Sequence, residues 1–206
     1  MIPERPKIKV GILGGAFDPV TIGHIQLANF VISTGVVNQV WLTPCYKHRY
    51  DKDMVDANHR LTMCKIATAT DQTIGVCDIE IKHRLHGETY NLIKKIKDNP
   101  ITDKIYDFSV IIGQDNANTF DQWYMHEELA KMVRFIVVPR KGVEATRQDW
   151  YVRFPHLFLN TETNVIKISS TEVREQLSFA KHSTPQLETI LPEGVLKYIF
   201  RHKLYQ

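Results

Sequence analysis

A chain of 206 residues with 43% apolar and 24% charged residues is long enough to bury a core and ordinary in composition for a globular protein. Its formal charge of +3 is too mild to suggest nucleic acid, though it suits a small anionic ligand. The cysteines Cys45, Cys64 and Cys77 contain no C-x-x-C pair, which argues against a zinc ribbon or a disulfide framework.

The segment Met1 to Lys7 is charged and broken by proline, without the apolar stretch of a signal peptide. No apolar run approaches membrane-spanning length. A cytoplasmic protein with reduced thiols is therefore expected. The first strand covers Ile8 to Leu13. Gly14-Gly15 break it, Ala16-Phe17-Asp18-Pro19 turn the chain, and Thr21-Ile22-Gly23-His24 open a helix that ends near Thr34, with Gly35 as its stop. A second strand, Gln39 to Thr43, is halted by Pro44. It leads into a polar loop, Cys45 to Asp53, carrying Lys47, His48, Arg49 and Lys52. Asp56 reads as the N-cap of a helix through Thr70.

Ile74 to Ile81 reads as a third strand, and Thr89 to Lys97 as a basic amphipathic helix stopped at Asn99-Pro100. The nearly all-apolar run Phe108 to Ile112 fits a strand buried on both faces. Beyond Gly113-Gln114-Asp115 come a helical stretch with Phe120 and Trp123 and a short helix from Glu127 to Met132. A strand from Arg134 to Val138 then ends at Pro139. Residues 143–164 lack a clear period and read as loop with at most a short strand. Val165 to Ile168 is expected as the last core strand, followed by helices Ser170 to Phe179 and Gly194 to His202. Strands alternating with helices predict one domain, residues 1–206, of α/β class: a Rossmann-like doubly wound parallel sheet with helices on both faces.

The chemistry concentrates at residues 8–24, IKVGILGGAFDPVTIGH. A strand feeding a glycine turn and a helix start can hold phosphate, because the first helical N–H groups lack partners and the macrodipole favours an anion there. Glycine also permits close approach. Thr21 and His24, three apart, share one helix face, so a hydroxyl and an imidazole stand side by side over that anion site. Two commoner phosphate loops do not fit. The dinucleotide fingerprint needs G-x-G-x-x-G, whereas this chain has Gly11-x-x-Gly14-Gly15, and Thr43-Pro44 stand where an acid should end the second strand. The Walker loop needs lysine after its last glycine, where this chain has His24. A plain tight turn before a core helix is the bland alternative.

Thr21-Ile22-Gly23-His24 behind Gly14-Gly15-Ala16-Phe17-Asp18-Pro19 resembles the nucleotidylyltransferase superfamily, whose mark is (H/T)-x-G-H after a G-G/T-x-F-D-P turn. Other blocks resemble its nicotinate (nicotinamide) mononucleotide adenylyltransferase family. Ile111-Ile112-Gly113-Gln114-Asp115, followed by Trp123, is similar to that family's I-x-G-x-D…W block. The likeness implies that Gly113 and Asp115 lie against adenosine and that Trp123 stacks on the pyridine ring; a core aromatic is the other reading of Trp123. Val138-Pro139-Arg140-Lys141-Gly142 resembles P-R-x-G, which implies that Arg140 meets a substrate phosphate or carboxylate, against a solvated turn. Ile168-Ser169-Ser170-Thr171-Glu172-Val173-Arg174 resembles I-S-S-T-x-(I/V)-R and implies a second helix-start anion site from Ser169, Ser170, Thr171 and Arg174, compatible with ordinary capping. Gly87-Glu88-Thr89-Tyr90 is similar to S-Y-T more loosely, with Thr89 and Tyr90 on the mononucleotide side or Thr89 as a cap. Lys47 sits where the family places a lysine near the triphosphate, although the family's P-P-H-K is not kept. His59-Arg60 resembles an A-x-x-R element, with a surface role equally open. Leu191-Pro192-x-x-Val195-x-x-Tyr198-Ile199 fits the family ending.

The resemblance implies adenylyl transfer from ATP to nicotinate mononucleotide, giving deamido-NAD and pyrophosphate. It implies a catalytic set of His24, Thr21 and Lys47. ATP would meet Gly14, Gly15, Ala16, Phe17, Gly23, His24, Gly113 and Asp115, with the C-terminal helices from about residue 169 contributing Ser169, Ser170, Thr171 and Arg174. Mg²⁺ would arrive with ATP rather than in a protein cage. The expected partners are ATP and a pyridine mononucleotide, with no nucleic acid and no membrane, and a homo-oligomer is left open. Two other readings stand beside this one. A nicotinamide mononucleotide or phosphopantetheine adenylyltransferase could use the same scaffold, and Thr21 in place of histidine leans toward the latter. A non-catalytic nucleotide-binding regulator is opposed by the intact Thr21, His24 and Arg174 set.

Overall fold

The apolar runs pair into one sheet: β1 (Ile8–Gly15), β2 (Gln39–Pro44), β3 (Ile74–Val76), β4 (Tyr106–Gly113), β5 (Arg134–Val138) and β6 (Leu157–Phe158). The computed structural model describes residues 6–50, 52–140, 142–144, 146, 148–159 and 168–206. Every pairing is parallel, and the strand order is β3-β2-β1-β4-β5-β6. In this doubly wound order the chain departs in opposite directions from β1 and β4, so a crevice opens between their C-terminal ends.

Period-two alternation sorts the side chains. Val10, Ile12, Phe108, Val110, Ile112, Phe135 and Val137 enter one buried cluster; Leu13, Ile111, Ile136 and Val138 enter the other. The first cluster is covered by α4 (Thr89–Lys97) through Leu92, Ile93 and Ile96, and by α7 (His126–Met132) through Leu129. Before α4 come α1 (Ile22–Ser33), α2 (Ala57–Thr68) and α3 (Ile79–Lys82). Between α4 and α7 lie α5 (Pro100–Ile105) and α6 (Gln114–Ala117), with a 3-10 turn at Phe120–Gln122. After α7 follow α8 (Gln148–Tyr151), α9 (Ser170–Phe179), α10 (Pro185–Ile190) and α11 (Glu193–Arg201). The second cluster is closed by α1 with Ala28 and Val31, α2 with Met63 and Cys64, and α9 to α11 with Val173, Leu177, Leu187, Val195 and Ile199. Helices thus cover both faces of a parallel α/β sheet. Among the described residues no helix is long and apolar enough to cross a membrane.

Several local expectations need correction. The third strand stops at Val76 instead of Ile81. Its neighbour β2 runs into Pro44, which has no N–H to continue the ladder, and Ile79–Lys82 coil into α3 behind Asp78. The α2 helix ends at Thr68, two residues short of Thr70. The stretch with Phe120 and Trp123 divides into α6 and the 3-10 turn, with Trp123 as the C-terminal cap. Within 143–164 the chain forms α8 and the two-residue β6, both too short to show a period. Of the expected strand Val165 to Ile168, residues 165–167 lie outside the described residues, and Ile168 is not in a strand.

Candidate active site

The turn between β1 and α1 closes on itself. Gly14 is exposed, and a Cβ built on it would meet no atom within 4 Å, so the space above it is open. Phe17 has a φ of +48° and lies edge-on to the His24 ring, with centroids 5.0 Å apart. Thr21, fully buried, is the N-cap of α1. Its backbone N–H donates to His24 Nδ1 at 3.0 Å, and its Oγ1 lies 2.8 Å from the same nitrogen. A backbone N–H can only donate, so Nδ1 must accept, and the neutral ring carries its proton on Nε2. Burial, reinforced by the positive charge of Arg140, pushes the His24 pKa down to about 4. His24 is therefore a neutral donor of fixed tautomer, and Thr21 orients it.

The Arg140 charge that acts on His24 comes from just beyond β5. Arg140 Nη1 pairs with Asp115 Oδ2 at 2.6 Å, both groups about half exposed. Gly113, at the end of β4, makes this pair possible: a Cβ there would fall 2.5 Å from Asp115 Oδ1 and 3.4 Å from Arg140 Nε. Gly113, Asp115 and Arg140 thus form one cluster on the β4 side of the crevice.

Helix α9 brings the C-terminal block to the same turn. Ser170 Oγ donates to the Pro19 carbonyl at 3.1 Å, and Arg174 Nη1 donates to the Asp18 carbonyl at 2.7 Å. Arg174 Nη2 donates to Thr171 Oγ1 at 3.1 Å, and Ser169 Oγ caps the Glu172 N–H at 3.5 Å. The expected second anion site is therefore physically joined to the first, and its hydroxyls also cap and brace. Asp18 is 2% exposed. Its Oδ1 accepts from the Tyr205 hydroxyl at 2.6 Å, and Arg174 Nη1 stands 3.8 Å from its Oδ2.

The remaining predicted residues gather on three loops. Lys47 is exposed and, with His48, Lys52 and Arg60, lines a cavity of about 350 Å³ between the loop after β2 and the start of α2. Thr89 is the first residue of α4 and not its cap, since Glu88 occupies the N-cap position. Tyr90 meets Tyr124 edge-on at 5.7 Å, and Trp123 is half-buried against Phe120 at 5.6 Å. Arg49 Nη2 donates to the Gln122 carbonyl at 2.7 Å, tying the Lys47 loop to the Trp123 loop. Among the described residues no group of three His, Cys, Asp or Glu side chains could hold a metal ion.

Arg60 deserves a firmer role than the open surface assignment. It is 1% exposed, and its guanidinium donates to the carbonyls of Ala16 at 2.7 Å, Val55 at 2.8 Å and Tyr46 at 3.1 Å. It thereby binds the glycine turn to the Lys47 loop. Helical spacing carries the signal: Arg60 lies three residues from the buried Ala57 and Met63 and four from Cys64. Tyr205 has no comparable sequence signal.

The cytidylyltransferase-like family model matches residues 12–176. The nicotinate-nucleotide adenylyltransferase of Bacillus subtilis is 28% identical over 200 residues, covering 96% of this chain and 98% of that protein. The probable nicotinate-nucleotide adenylyltransferase of Lactococcus lactis is 32% identical over 201 residues, covering 96% and 95%. Among solved structures, the Plasmodium falciparum nicotinic acid mononucleotide adenylyltransferase complexed with NaAD superposes with a TM-score of 0.77 at 23% identity, covering 96% of this chain and 97% of that one.

Proposed function

The chain belongs to the cytidylyltransferase-like family and, within it, to the nicotinate-nucleotide adenylyltransferases, and from that premise we propose that it transfers the adenylyl group of ATP to nicotinate mononucleotide. The products are deamido-NAD and pyrophosphate, which places the chain in NAD biosynthesis. The observation that carries the reading is His24, held by Thr21 at the start of α1 as a neutral Nε2–H donor beside an open glycine turn.

A phosphate oxygen of the mononucleotide attacks the α-phosphorus of Mg²⁺-bound ATP. The new P–O bond forms as the bond to the bridging oxygen breaks, and pyrophosphate leaves with that electron pair. No side-chain nucleophile is required, so the protein contributes position and charge. His24 donates to the α-phosphoryl oxygens, beside the first turn of α1. Arg174 braces the turn and, with Ser169, Ser170 and Thr171, brings the start of α9 to the triphosphate. Lys47 neutralises leaving charge from its loop. Gly113 and Asp115 line the adenosine, while Arg140, Thr89, Tyr90 and Trp123 take the mononucleotide. Mg²⁺ enters as part of the substrate and retains waters. The chain works in the cytoplasm on these small molecules.

The test is pyrophosphate release with ATP and Mg²⁺, supplied in turn with nicotinate mononucleotide, nicotinamide mononucleotide and phosphopantetheine. Release is expected with nicotinate mononucleotide, at higher kcat/KM than with the amide, because donors set for a carboxylate are poorly satisfied by a neutral group. Equal kcat/KM for acid and amide would rule out the acid preference. Release with phosphopantetheine alone would overturn the reading.

A further inference from the structure

Glu80 is a carboxyl the reaction does not use. It sits on α3 and is 3% exposed. The backbone N–H groups of Tyr46 and Gly87 face its carboxyl and favour its charged form, and its buried Oε2 has no hydrogen-bond partner. Tyr46 leads into Lys47; Gly87 leads into Glu88-Thr89-Tyr90. These two loops also touch through their backbones. Gly87 has a φ of +80°, and a Cβ there would fall 2.7 Å from the Lys47 carbonyl oxygen and 3.3 Å from Arg49 N. Only glycine allows that approach. At the other end of the Lys47 loop, Arg49 holds the Gln122 carbonyl, next to Trp123. One buried carboxyl therefore underlies the three segments that bear Lys47, Tyr90 and Trp123.

We propose that Glu80 is a positioning residue for the mononucleotide: by gathering the Tyr46 and Gly87 N–H groups, its carboxylate sets the spacing of Lys47, Tyr90 and Trp123 across the substrate. The proposal rests on the reading of those residues as the mononucleotide side. A carboxylate accepts N–H bonds more strongly than a carboxylic acid, so the clamp tightens on ionisation. Burial pushes the Glu80 pKa up to about 7, with the charge of Glu88 adding to the rise and the two N–H donors opposing it. The other groups around it are the Cys45 and Cys77 thiols, both raised chiefly by burial with the Glu80 charge adding, and Asp78 beside it on its own segment. Arg60 lies beyond Tyr46, on that residue's carbonyl oxygen at 3.1 Å. Glu80 thus changes ionisation near neutral pH, and the two loops respond.

Steady-state kinetics of the full chain and of Glu80→Gln, from pH 6 to 8.5, test this. At pH 8 the variant is expected to raise KM for nicotinate mononucleotide about tenfold, the scale of one hydrogen bond to a charged acceptor, with KM for ATP unchanged. In wild type that KM should rise as pH falls through about 7, and the variant should lose this part of the profile. The substrate phosphate titrates near 6 in both proteins and cancels in the comparison. Amide exchange of Tyr46 and Gly87 without substrate is the second measurement, with faster exchange expected in the variant at equal pH. An unchanged mononucleotide KM, or a joint rise in both KM values, overturns the proposal. If wild type releases no pyrophosphate with nicotinate mononucleotide, the proposed function fails instead, and unchanged amide exchange would then dispose of the clamp separately.

Discussion

His24 shows how a side chain acquires a role from its neighbours. Its imidazole would be about half protonated near pH 6.5 in isolation. Here burial, reinforced by the Arg140 charge, keeps it neutral, and the Thr21 N–H on Nδ1 fixes its tautomer, so it stabilises developing charge as a dipole and not as a cation. His24→Ala is expected to fold, to bind ATP within roughly tenfold of wild type, and to lose about 10²–10³ in kcat, the usual loss for one preorganised donor. Thr21→Ala removes the hydroxyl but keeps the backbone N–H that fixes the tautomer, so its loss in kcat should be smaller. Stopped-flow adenylyl transfer and ATP titration separate the two quantities; near wild-type kcat in His24→Ala would reduce the imidazole to a cap. The sequence alone makes the turn and His24 legible because the whole constellation is contiguous. Helical spacing marks Arg60 as buried but not the Ala16 carbonyl it holds 44 positions away, and nothing local announces that Glu80 meets Tyr46 across 34 positions or Tyr205 meets Asp18 across 187.

At the scale of elements, α9 and the glycine turn depend on each other. The helix begins 151 residues beyond Pro19 yet donates to its carbonyl through Ser170, while Arg174 holds the carbonyl of Asp18. Arg174→Ala should therefore raise KM for ATP and also destabilise the fold by about 1–3 kcal/mol, since it strips partners from partly buried polar groups. Arg174→Lys should rescue only part of either effect, because an ammonium lacks the fork that spans Asp18 and Thr171. Thermal unfolding read beside ATP kinetics decides the matter: a raised KM at unchanged Tm would mean that the arginine serves ligand alone. Elements of ordinary length were readable from pattern, as β1, β2, β4, β5 and α9 demonstrate. Short ones were not. Asn99-Pro100 reads as the stop of α4, but it also starts α5, where Asn99 Oδ1 accepts from Ile101 N–H at 3.0 Å and Thr102 N–H at 3.4 Å. The same dipeptide signals an end and a beginning, and only the following turn distinguishes them.

Across the whole molecule, His24 and Glu80 draw stability in opposite directions with pH. His24 has a folded pKa of about 4 against an ordinary 6.5. Between those values the unfolded chain takes up a proton that the folded chain refuses, so this contribution is complete above pH 6.5 and is lost as pH falls through about 4. Glu80 has a folded pKa of about 7 against an ordinary 4.5. Between those values the folded chain keeps a proton that the unfolded chain releases, so this contribution is complete below pH 4.5 and is lost as pH rises through about 7. From pH 4.5 to 6.5 the two slopes oppose each other. Glu80→Gln removes one of them and leaves the other titrating groups in place. Its stability relative to wild type should therefore improve as pH rises from 4.5 to 7, by at most roughly 1.4 kcal/mol per pH unit, and level off above 7. Urea unfolding of both proteins at pH 5, 6, 7 and 8 measures that difference. A difference that stays constant across these pH values would mean that Glu80 ionises alike in the folded and unfolded chain.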